Sequence, residues 1–143
     1  RGVPQFTVDG HRPVGAFDLV GVSCSTELGY TNVLTALDLA GIPLAASTDA
    51  PFGDPDPWLA IRAAVERRTA GGAPLGLREA VSPERALALF LTPPDDPGGE
   101  VRRVRPGTPA DLCLLDASLS QVLEEPSSDR VVLTVQAGVP YGR

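Results

Sequence analysis

Residues 41–58 read GIPLAASTDAPFGDPDPW, and the fold class turns on this stretch. The apolar run 42–46 lies between Gly41 and the polar triplet Ser47-Thr48-Asp49. A continuous apolar run bounded by turn residues reads as a strand buried on both faces, as in a parallel sheet. That strand is predicted to end by presenting a carboxylate, Asp49, just ahead of a proline-studded loop.

The flanking segments have helical grammar. In TNVLTALDLAG, residues 31–41, Thr31 or Asn32 can cap, Val33, Leu34, Leu37 and Ala40 share a face, and Gly41 ends the run. Downstream, PDPWLAIRAAVERRTAGG predicts a helix with Pro57 in its first turn, Trp58, Ile61 and Val65 on one face, and Gly71 as its stop. SPERALALFL predicts another, with Ser82 as cap and Pro83 first. Further upstream, residues 3–8 and 21–25 read as short strands and 14–20 as a short helix. Residues 1–97 therefore alternate β and α elements. The tail, 98–143, reads as a small β module with three strands and no helix. Arg102, Arg103 and Arg105 alternate with Val101 and Val104 there, the pattern of a strand with one solvated face.

Bulk properties narrow the classes. At 143 residues, 43% hydrophobic and 21% charged, the chain fits one globular domain with a real core. Its net charge of −6 argues against a nucleic-acid partner. No apolar run is long enough to span a bilayer and no signal pattern opens the chain, so a cytoplasmic location is expected, without a membrane partner. The sequence contains no methionine, so the chain is expected not to begin at a translation start. Cys24 and Cys113 lie in apolar runs and read as small buried hydrophobes rather than a disulfide framework or a metal pair.

Several of these segments resemble one family. LDLAGIPLAASTDAP followed by PDPWLAIRAAVERR is similar to the end of the catalytic barrel in the amidohydrolase superfamily, with amidohydrolase family 3 the nearest branch. LREAVSPERALALFLTPPDD resembles that family's following helix, and VRRVRPGTPADLCLLD its P-G-x-x-A-D-L segment. VLTVQAGVPYGR resembles its closing strand pair, and the match runs from about Gly21 to Arg143. The resemblance implies the last β/α units of a TIM-type (β/α)8 barrel over 1–97 and a β-sandwich segment over 98–143. The active site would lie at the C-terminal mouth of the barrel. The aspartate ending the last barrel strand in such enzymes binds a divalent metal, usually zinc, and handles the proton of the attacking water. Asp49 occupies that position.

Other positions depart from the family pattern. A whole barrel needs on the order of 250 residues, so the family's paired histidines would lie upstream. Laid over the family's histidine-bearing strand, the opening segment places Thr7 on the histidine, while His11 falls four positions later. His11, the single histidine, is the second candidate metal ligand; as a residue of the turn DGHRP it also reads as a surface histidine. Asp49, before Ala50-Pro51, is equally a turn former whose side chain bonds local amides. Ser47, Thr48 and Trp58 are candidate substrate contacts, although the helical register of Trp58 also suits core packing. Asp54 and Asp56 could line the mouth or serve as turn residues. A Cys24–His11 thiol pair is conceivable as nucleophile and base, with nothing local to support it.

The residues thus predict a fragment of a metal-dependent amidohydrolase that cleaves an amide or related C–N bond in a small molecule, not competent as this chain alone. The alternative is a non-catalytic half-barrel that serves as a binding or oligomerisation module. An open parallel sheet leaves edges uncovered, so a homo-oligomer, or association with a missing N-terminal half, is expected either way.

Overall fold

A computed structural model describes residues 44–69, 71–93 and 95–142. The expected elements between residues 3 and 41, together with His11 and Cys24, lie outside the described residues. The order from Ala45 onward is helix α1 (Pro57–Glu66), a 3-10 turn (Leu77–Glu79), helix α2 (Pro83–Leu91), strand β1 (Leu112–Leu115), helix α3 (Leu119–Glu124), a second 3-10 turn (Ser128–Arg130), and strands β2 (Val131–Gln136) and β3 (Val139–Gly142).

Both anticipated helices form, each with the expected start. Asp56 caps α1 by accepting the Trp58 amide at 2.8 Å, and Pro57 takes the first position, where its missing N–H costs nothing. Ser82 caps α2 through the Arg85 amide at 3.2 Å, again with proline first. The end of α1 differs from the expectation. It stops at Glu66 rather than at Gly71, because Arg67 adopts φ 49° and ψ 54° and its amide closes on the Ala63 carbonyl. The chain then doubles back: the Leu75 amide bonds the Arg67 carbonyl at 2.8 Å, and Arg68 bridges Pro74. The Arg67 guanidinium reaches Glu79 at 3.2 Å across this return.

The apolar faces of these helices meet in one core. Trp58 and Ile61 of α1, Ala86 of α2, and Val122 and Leu123 of α3 are buried, with Val65, Phe90, Leu115 and Val131 packed around them. Ile61, at 1% exposure, contributes about 1.5–3 kcal/mol by leaving water. Residues on both sides of position 97 thus share a single cluster.

Three sequence expectations are corrected here. Residues 44–49 belong to no strand; the Ala46 amide bonds the Leu89 carbonyl of α2 at 3.0 Å, a helix end rather than a strand neighbour. Residues 101–105 are not a strand either. The Arg102 amide bonds the Leu91 carbonyl at the end of α2, and the arginine side chains turn to carboxylates, Arg102 to Asp111 at 2.9 Å and Arg105 to Glu100 at 3.0 Å. The tail, in turn, does contain a helix. Ser118 and Gln121 form a reciprocal capping box, and Val122 and Leu123 then drop into the core.

Strands β1, β2 and β3 form an antiparallel sheet in that order. A register shift between Leu114 and Leu115 sets Leu115 opposite Val131, and both join the core. Beyond that bulge the sheet is open: Leu112, Leu114, Val132, Val139 and Tyr141 are all exposed. Cys113, expected to be buried, is exposed as well. The β2–β3 hairpin turns through Ala137 at φ 50° and Gly138 at φ 81°, the paired positive values of a tight hairpin, where glycine carries no Cβ penalty.

Candidate functional site

The loop 47–56 is held by local hydrogen bonds, from backbone to backbone and from backbone to its own side chains. Asp49 takes φ 58°, a left-handed conformation that aspartate tolerates better than most residues. Its carbonyl then accepts two amides, those of Phe52 and Gly53, both at 2.9 Å. Its own amide donates to the Ser47 hydroxyl at 3.3 Å. The turn is closed so tightly that a Cβ on Gly53 would clash with the Thr48 carbonyl oxygen. Glycine is thus a steric requirement at that position, whatever the rest of the loop does.

Asp54 and Asp56 continue the same local pattern. The Asp56 amide donates to Asp54 Oδ1 at 2.9 Å, and Asp56 Oδ1 caps α1. Both carboxylates are engaged in shaping the loop, which is the turn role weighed from the sequence. Asp49 differs from them: its backbone makes the turn, while no hydrogen bond or ion pair to its carboxylate occurs among the described residues.

Asp49 and Ser47 are exposed, and Thr48 is half-buried. Trp58 is only 8% exposed and belongs to the core cluster, so its surface goes to Ile61 and its neighbours, as its helical spacing allowed. Among the described residues no group of three or more His, Cys, Asp or Glu could together hold a metal ion. Asp49 by itself offers one exposed carboxylate donor. A closed zinc site takes four ligands and a catalytic one three from protein.

Two residues escaped the sequence reading. Phe52, in the turn with Asp49, is 93% exposed. Asp111, inside the apolar-looking ADLCLLD, holds two segments together: Oδ1 accepts the Ala137 amide at 2.7 Å and Oδ2 the Arg102 guanidinium at 2.9 Å. The backbone amide first, and then the arginine, hold its carboxyl below the ordinary carboxylate range. The signal was present, since an aspartate directly before a β-branched or aliphatic strand needs a reason to be there. The partners, 9 and 26 residues away, were not legible.

A sequence profile described as the amidohydrolase family matches residues 26–141. That span is most of the chain, and the chain belongs to the amidohydrolase family. No curated protein and no solved structure matches it. Among the described residues no helix is long and apolar enough to cross a membrane.

Proposed function

We propose that this chain forms the C-terminal part of a metal-dependent amidohydrolase that cleaves an amide or related C–N bond in a small molecule. In this reading residues 1–97 supply the last β/α units of a TIM-type barrel and 98–143 a β-sandwich segment. The observation that carries it is the family match over residues 26–141, a span that includes the Asp49 loop.

Asp49 is assigned as metal ligand and proton acceptor, with His11 as the further candidate ligand from this chain. When bound, a divalent ion, zinc by preference, would supply Lewis acidity and lower the pKa of water towards neutrality. Asp49 takes a proton from the attacking water as the new C–O bond forms. It then returns that proton to the leaving nitrogen as the C–N bond breaks. Ser47 and Thr48 are assigned to substrate contact. The burial of Trp58 supports a core role in preference to a pocket wall.

The test is hydrolysis of a panel of N-acylated amines and amino acids by the complete enzyme, with metal content measured alongside. Loss of both turnover and bound metal in Asp49→Asn supports the reading. A metal-replete wild type that turns over no C–N substrate sinks it. The second reading, a non-catalytic scaffold acting by association, is favoured by the apolar sheet residues left exposed, Leu112, Leu114, Val132, Val139 and Tyr141. It predicts no turnover and no metal, but a stable complex in sedimentation.

A further inference from the structure

We propose that Phe52 is a specificity residue of the same site, offering its ring to an apolar group of the substrate beside the scissile C–N bond. The inference rests on the hydrolase reading above. It starts from the exposure of the side chain: at 93%, Phe52 is the most exposed large hydrophobic among the described residues. The aromatic residues of α1 and α2, Trp58 and Phe90, lie in or against the core. A phenyl ring gains from dispersion and desolvation only when an apolar surface covers it.

Position selects the occupant. Phe52 stands three residues after Asp49, in the turn whose two closing amides, those of Phe52 and Gly53, both bond the Asp49 carbonyl. Gly53 lies so close to the Thr48 carbonyl that no Cβ would fit there, so that turn is compact. Ring and carboxylate are thus carried on one short backbone unit, and a substrate at Asp49 has Phe52 as its nearest large apolar side chain in sequence. Asp54 and Asp56 spend their carboxylates on the loop itself, so the ring is the loop's apolar feature. Substrates with an aliphatic or aromatic substituent next to the cleaved bond are the class this arrangement favours over small or charged ones.

The complete enzyme, metal-loaded, tests this with two matched series: N-acetyl against N-hexanoyl amides of one amine, and one acyl group on methylamine against hexylamine. The wild type is expected to favour the longer chain in one series. Phe52→Ala should lower that preference about tenfold in kcat/KM, the discrimination a pocket obtains from a modest apolar contact, while Phe52→Leu keeps most of it. An unchanged ratio in both series overturns the assignment of Phe52 while leaving the hydrolase reading intact. So does a fall in melting temperature with equal losses on long and short substrates, which would mean that the ring packs against protein. A metal-replete wild type that hydrolyses neither these four compounds nor any member of the N-acyl panel removes the hydrolase reading, and this assignment with it.

Discussion

Asp49 and Asp111 are both exposed carboxylates, yet their surroundings assign them opposite work. Asp111 is fully committed, to the Ala137 amide and to Arg102, whereas the Asp49 carboxylate has no partner among the described residues. Replacing Asp49 by Asn should therefore leave the melting temperature of the metal-free protein within a few degrees of wild type. It should lower turnover by the complete enzyme by on the order of 10²–10⁴, the usual contribution of a positioned proton acceptor. Thermal melts of metal-free protein and steady-state rates of the metal-loaded complete enzyme check the two halves. Asp111→Asn should do the reverse, lowering stability through loss of the two charge-assisted bonds. The sign with pH follows from its depressed pKa. The folded chain binds the proton less readily than the unfolded one, so the stabilisation is full above the ordinary carboxylate value of 3.8 and fades as pH falls through the lower folded value. Melts at pH 7 and at pH 2–3 should thus show a wild-type advantage over Asp111→Asn that shrinks in acid. An advantage that grew in acid would contradict the two hydrogen bonds.

At the scale of elements, the sequence was most legible where local chemistry decides. Pro57 and Ser82-Pro83 announced both helix starts; the Ser82 cap is present as expected, and Asp56, read as a turn or mouth residue, caps the other helix. What escaped was set by partners distant in sequence. The apolar run 42–46 has the composition of a buried strand, but its described part finds a helix carbonyl instead of a strand. Alternation at 101–105 imitates a strand, yet its arginines are drawn to Glu100 and Asp111. The short α3 was hidden between strands because its six residues are too few for a visible period; only the spacing of Ser118 and Gln121 signalled it. For the proposed site, Asp49 was singled out through the family resemblance alone, while Phe52 carried no sequence signal. Two substitutions probe this level. Ile61→Ala, in the core shared by α1, α2 and α3, should cost about 2–5 kcal/mol in denaturant unfolding. Gly53→Ala should cost about 1–3 kcal/mol by forcing the Thr48 carbonyl away. A neutral Gly53→Ala would mean that the Asp49 turn is not closed as described.

Taken as a whole, the unit Ala45–Arg143 is built asymmetrically, with its helices gathered around one cluster and its sheet left largely open. The bulge at Leu114/Leu115 is the dividing line. Leu115 packs inward, while Leu114 remains 55% exposed and Tyr141 of β3 57%. Leu112 and Leu114 pair with Val135 and Leu133 in register, so these four side chains share one face of the sheet. Val132 and Tyr141 belong to the opposite face, which is apolar in part as well. Contiguous apolar surface of this kind is a liability in water and favours association. The isolated 143-residue chain, with a net charge of −6 opposing contact, should therefore self-associate in a concentration-dependent way that strengthens as salt screens the repulsion. Leu114→Lys should shift it towards monomer with little loss of stability, since the side chain it removes is already more than half in water. Sedimentation velocity at low and high salt reads both effects. A chain that stays monomeric at every concentration would show that this surface is tolerated uncovered, and would remove the ground for expecting a partner on the sheet.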